Sequence, residues 1–112
     1  MPLTVVPGPT ITAASSLSSA IDLSAGTLAR IFYPRVWTPA VLTFQVSADG
    51  ADFFDLYDVF GKEVSITVVP GACIRISFDW TIILQFVKFR SGSRDFPVDQ
   101  PTQCDFSVAL YS

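Results

Sequence analysis

An all-β domain is the fold this sequence predicts: a single antiparallel β-sandwich, jelly-roll-like, of about eight strands with an extended N-terminal arm. Three observations lead there. Short apolar runs of strand length recur with turn residues between them, at the roughly 8–12-residue spacing of sandwich proteins. Several of those runs alternate apolar and polar residues with period two. The one stretch where helix competes, Thr12 to Leu23, is rich in Ser and Ala, and Ser is a weak helix former.

The elements follow in order. Pro2, Pro7 and Pro9 make residues 1–18 an extended or irregular arm, with the sandwich domain over 19–112. Ser19 to Leu23 is the first strand, closed by the Ser24-Ala25-Gly26 turn. Thr27 to Tyr33 is the second, ended by Pro34. Val41 to Ser47 is the third, where Leu42, Phe44 and Val46 alternate with Thr43, Gln45 and Ser47. Asp52 to Tyr57 and Glu63 to Val69 follow, then the Pro70-Gly71 turn and a strand over Ala72 to Phe78. Thr81 to Arg90 is nearly continuous in apolar residues, which marks a central strand. Cys104 to Tyr111 is the eighth, with Cys104, Phe106, Val108 and Leu110 on one face.

Composition narrows the setting. The 112 residues suffice for one domain. Half are hydrophobic and only 15% are charged, against about 25% in an average soluble domain. Mean hydropathy is +0.48. The longest apolar run, Thr81 to Val87, is far short of the ~20 residues of a membrane-spanning helix, so no membrane partner is expected. The surplus apolar surface is expected to be buried against other chains, copies of itself first, a trimer being one form. The net charge of −3 and scattered basic residues argue against nucleic acid. Met1-Pro2-Leu3-Thr4-Val5-Val6 has no basic region followed by a long apolar one, so folding in a cytoplasm is expected.

The richest candidate for chemistry is residues 44–61, where Asp49, Asp52, Asp55 and Asp58 recur every third residue. Asp49-Gly50 between two alternating segments signals a hairpin. A two-residue loop would set Asp55 opposite Phe44. A three-residue loop, Ala48-Asp49-Gly50, pairs Phe44 with Phe54, Leu42 with Leu56 and Thr43 with Asp55, and so sorts apolar from polar faces. Asp58-Val59-Phe60-Gly61 reads as a second turn. Strand parity then scatters the acids, and the calcium-loop register D-x-[DN]-x-[DN]-G is missing. No metal or other cofactor is expected. The chain has no histidine and no nucleotide-binding or hydrolase motif, so an enzyme is not expected either.

Two cysteines, Cys73 and Cys104, read either as reduced buried thiols, which suits a cytoplasm, or as a bridge closing a loop of about 30 residues. Phe53, Tyr57 and Phe60 on the outer side of the hairpin, with Trp37 and Trp80 near strand ends, form the candidate contact surface. Aromatic residues suit a protein interface, and they also suit stacking on a glycan. Arg75 and Lys88, inside apolar strands, are expected to face solvent or an interface ion pair.

The run Ser19-Ala20-Ile21-Asp22-Leu23, then Trp37-Thr38-Pro39-Ala40-Val41-Leu42-Thr43-Phe44-Gln45, Ser47-Ala48-Asp49-Gly50 and Phe54-Asp55-Leu56-Tyr57-Asp58, resembles small virion proteins of tailed bacteriophages. Phe89-Arg90-Ser91-Gly92 and Pro97-Val98-Asp99-Gln100 extend the likeness over most of the chain. The W-x-x-A-x-L-T-F-Q-x-S-x-D-G pattern is also similar to strands of discoidin-like galactose-binding sandwiches. The phage resemblance implies a noncatalytic structural role on the particle, assembled in the host cytoplasm: decoration of the capsid, or a head spike or fibre base. A capsid decoration protein on the major capsid protein is the leading expectation. A carbohydrate-binding module of a head spike or tail fibre, or a neck or tail adaptor, are the alternatives. The two cysteines depart from the family pattern.

Overall fold

A computed structural model of the chain describes residues 3–76 and 85–111. These form nine β-strands: β1 Leu3–Ile11, β2 Ile21–Asp22, β3 Thr27–Phe32, β4 Leu42–Ser47, β5 Phe54–Asp55, β6 Ser65–Ile66, β7 Cys73–Arg75, β8 Phe86–Ser91 and β9 Cys104–Tyr111. They lie in two antiparallel sheets, ordered β1-β9-β3-β7 and β2-β8-β4-β5, with β6 also paired to β4. No helix occurs among the described residues.

The sheets meet through rings placed by period-two alternation. Phe44 on β4 and Phe89 on β8 are paired in register and stack edge to face at 5.4 Å between centroids. Phe89 then meets Phe106 of the other sheet edge to face at 5.2 Å. Edge-to-face geometry sets the positive rim of one ring against the negative face of the next, adding to what burial alone contributes. Leu28, Ile31, Leu42, Val87 and Val108 close around these rings. Burying an aromatic or branched side chain stabilises by roughly 1.5–3 kcal/mol, so this layer dominates cohesion.

Most predicted strands fall where periodicity put them. β9 has the predicted bounds, and β4 and β3 differ from prediction by one residue at one end. β8 is internal to its sheet, between β2 and β4. The predicted strand portions at 77–78 and 81–84 lie outside the described residues.

Three expectations are corrected. The segment expected as an extended arm outside the sandwich belongs in part to a sheet: Leu3–Ile11 is a strand that pairs antiparallel with β9 from Leu3↔Tyr111 to Ile11↔Cys104. The register slips between Pro7 and Thr10, so an irregularity absorbs Gly8 and Pro9, where proline has no N–H for the ladder. The predicted fourth and fifth strands are also not separate. β5 pairs Gln45↔Asp55 and Val46↔Phe54, while β6 pairs Leu42↔Ile66 and Thr43↔Ser65 on the same side of β4. They fill one lane, interrupted by residues 57–63.

The third correction is the hairpin register. Neither the two- nor the three-residue loop forms; Asp55 faces Gln45 rather than Thr43, and the Leu56 N–H donates to the Phe44 carbonyl at 3.0 Å. The turn is widened by side chains. Ser47 Oγ accepts from the N–H groups of Asp49 (3.2 Å) and Gly50 (2.9 Å), and Asp49 Oδ1 from those of Ala51 (2.8 Å) and Asp52 (3.0 Å). Those two acceptors satisfy donors that a shorter turn would pair across the strands. Relative to the three-residue loop the shift is two residues, so facing survives although partners change. Gly50 does adopt positive φ, +82°, as the turn grammar requires.

Candidate functional site

Residues 57–63 leave the β4 lane as a short spur. Tyr57 bridges Glu63 at its base, and the Asp58 N–H donates to the Lys62 carbonyl at 2.8 Å. Asp58 Oδ1 accepts from the N–H groups of Phe60 (2.9 Å) and Lys62 (3.0 Å), and Gly61 closes the turn at φ +78°. This local set of bonds is why Asp and Gly bracket the tip. The tip itself is apolar: Val59 and Phe60 are 93% and 91% exposed. Phe54 beside the base and Phe96 on the 92–97 loop are also exposed.

A charged cluster fixes the spur's base. Arg90 is buried on the outer side of β8, opposite Thr43. Its Nη1 donates to Asp55 Oδ1 at 2.7 Å, its Nη2 to Glu63 Oε2 at 2.6 Å, and its Nε to Thr43 Oγ1 at 3.0 Å. The Thr43 hydroxyl in turn donates a hydrogen bond to the Gly92 carbonyl at 2.6 Å. Arg94 lies 3.4 Å from Asp55 Oδ2, and its backbone N–H reaches the Glu63 carboxylate at 3.1 Å. Two cations thus meet two carboxylates, and one guanidinium fork spans both ends of the spur. Burial works against the Asp55 charge, but the hydrogen bonds from Arg90 and Gln45 and the nearby cations outweigh it and hold its carboxyl below the ordinary range. A hydrogen bond with Tyr57 raises the Arg94 pKa.

The 92–97 loop is locked to the same base. Gly92 has φ +90°, and a Cβ there would collide with the backbone of Phe96, Pro97 and Val98. A second polar clamp holds the far loops. Buried Gln100 accepts from the Thr38 N–H (2.8 Å) and donates to the Thr38 carbonyl (2.9 Å) and Ser91 Oγ (2.8 Å).

The predicted contact residues divide. Phe60 and Tyr57 are exposed on the spur, and Phe53 is half-buried with the Lys88 ammonium 4.4 Å from its ring centroid. Arg75 is exposed on β7. Trp37 is corrected: it is only 9% exposed, stacks edge to face on Phe106, and donates its indole N–H to the Ala40 carbonyl at 3.2 Å. Its position between Val36 and two turn residues looked like a strand end, but the chain folds it back onto the core. Trp80 lies outside the described residues. Sequence reasoning missed Phe96 and the buried Arg90; the one signal for Arg90 was its place on the polar parity opposite Thr43.

Both cysteines are free, Cys73 exposed and Cys104 buried, so the bridge does not form. Cys73 is opposite Phe32, which is opposite Ser107 on the next strand. Two strand spacings therefore hold the Cα atoms more than about 9 Å apart, past the ~7 Å reach of a disulfide. The acids do not converge: Asp49 and Asp58 cap turns, Asp55 pairs with arginine, and Asp52 is exposed. Among the described residues no group of three or more His, Cys, Asp or Glu side chains could hold a metal ion, and no helix is long and apolar enough to cross a membrane.

Comparison with protein-family models, with curated proteins and with solved structures returns no match.

Proposed function

We propose that this chain is a noncatalytic structural protein of a tailed-phage virion, a capsid decoration protein that docks on the major capsid protein through its aromatic spur. The observation that carries this reading is the pairing of an apolar tip with a buried ionic base. Val59 and Phe60 stand out in solvent, while Arg90 ties both ends of their turn to the sheet. Presenting aromatics on a rigid support lowers the ordering cost of docking. Phe60 and Tyr57 are both exposed on the spur, and exposed aromatics of this kind are typical anchors of protein interfaces.

Topology supports the same class. With β5 and β6 counted as one lane, the strand orders become 1-8-3-6 and 2-7-4-5, the order of an eight-stranded jelly roll. Viral capsid domains use that architecture, and so do lectins. Against the glycan-binding alternative, Trp37 is buried and Lys88 occupies one side of the Phe53 ring, leaving Tyr57 and Phe60 as the exposed aromatics of the predicted set among the described residues.

The test is co-sedimentation with shells assembled from a tailed-phage major capsid protein, taken from the genes flanking this one if they encode it. Wild type is expected to pellet with shells and Phe60→Ser to stay in the supernatant. A folded wild-type chain with no affinity for shells sinks the proposal, and saturable glycan-array binding lost in Tyr57→Ala replaces it with the carbohydrate module.

A further inference from the structure

The molecule has a second unfinished surface, on the opposite sheet, whose chemistry is backbone rather than aromatic. β1 is the outer strand of its sheet, so every second residue turns its N–H and C=O away from β9. An open edge of this kind is a template for another strand, and proteins blunt it with charge, proline, irregular register or brevity. The described edges are blunted with one exception. β2, β5 and β6 are two residues long, and β7 is three residues long and carries exposed Arg75. The latter half of β1 is closed by Pro7, Pro9, the register slip, and the Ser19 N–H that donates to the Thr10 carbonyl at 3.1 Å.

Leu3–Val6 has none of these devices. It is a regular run in register with β9, free of proline, and β1 as a whole carries no charged residue. Leu3 and Val5 share one face, 37% and 60% exposed, next to Tyr111 at the margin of the sheet. A chain of net charge −3 has placed the longest open edge among the described residues where no charge lies.

From this we infer that Leu3–Val6 pairs with the same segment of a second copy, antiparallel about a two-fold axis, joining two four-stranded sheets into one. The partner is a strand because backbone donors and acceptors are what the edge offers. The partner is the same strand because no other described edge of the molecule is open to receive it. Self-pairing brings no like charges together, and it buries Leu3 and Val5 of both copies. This surface is separate from the spur, and the inference stands whether or not the spur docks on a shell.

Sedimentation equilibrium on the purified chain tests it, with amide hydrogen exchange at several concentrations. Wild type is expected to dimerise. Val5→Lys, a change at an exposed side chain, sets like charges across the axis and is expected to weaken the dimer about tenfold or more. Phe60→Ser is expected to leave it unchanged. In wild type, exchange at residues 3–6 slows as concentration rises. A monomer at all concentrations, an oligomer that Val5→Lys leaves intact, or exchange at 3–6 that ignores concentration overturns the inference. Protection of that segment by an unrelated extended peptide but not by self-association assigns the edge to a foreign strand and also overturns it.

Discussion

The two sides of the β8–β4 pair are held by opposite physics. Inward, Phe44 packs on Phe89 and Phe89 on Phe106, rings with no polar atom to satisfy. Outward, Thr43 and Arg90 sit one position away on the same strands and carry an ionic cluster. The inner side depends on shape and area, tolerates salt and pH, and loses a cavity's worth of stability when trimmed. The outer side depends on every partner being present, because a half-buried carboxylate without its cation is costly. So the core gives this molecule its cohesion, and the cluster fixes where the spur leaves the sheet.

The sharpest way to break the comparison is to remove one ring. Phe89→Ala should cost about 3–5 kcal/mol, read as a lower urea midpoint with an unchanged slope. Arg90→Ala comes next. It should cost about 2–3 kcal/mol, because Asp55 and Glu63 keep some water. Hydrogen exchange should quicken at residues 57–63 while β9 stays protected; uniform quickening would mean the cluster supports the whole fold. Ser47→Ala removes the acceptor of two turn N–H groups and should cost about 1 kcal/mol. Phe60→Ser should stay within about 0.5 kcal/mol in the same assay, since its ring touches solvent.

Acid separates the two sides without mutation. Asp49, bonded by the N–H groups of Asp52 and Ala51 and by the Ser47 hydroxyl, has its pKa lowered to about 2, and Asp55 is lowered too. A carboxyl depressed in the folded state contributes stability above its unfolded value of about 3.9, and that contribution is lost as pH falls through the folded value. Carboxyl NMR should show both groups still ionised below pH ~3.9, with the spur loosening before the ring layer. At the other extreme, burial raises Tyr33 to about 12, so its share of stability is intact below about pH 10 and is lost as pH rises towards 12. Ultraviolet titration of the phenol checks this.

The contrast also explains what could be read in advance. Ring positions on β4, β8 and β9 follow from parity, because a period-two apolar set admits one facing. Glycine at the Asp49-Gly50 and Asp58–Gly61 turns was legible for the same local reason. The spur's base was not legible, because Arg90 looks like any polar-parity residue until Asp55 and Glu63, far apart in sequence, arrive beside it. The merged lane escaped notice since two strands and one interrupted strand have the same periodicity. β1 was hidden by its prolines, which break the pattern without preventing the pairing. Trp37 was misplaced because indole suits surfaces and cores alike, and only its bond to Ala40 decides.

The way the spur is spliced into its lane has one more consequence. The Val64 N–H donates to the Leu56 carbonyl at 3.0 Å, so the chain departs and returns at hydrogen-bonded neighbours. Everything from 57 to 63 is therefore an insert whose ends are already closed by the scaffold. Its length and tip sequence can change without altering the register of β4, provided an acid remains where Glu63 meets Arg90. The fold keeps a socket in which one turn can be exchanged for another while the sheet stays as it is.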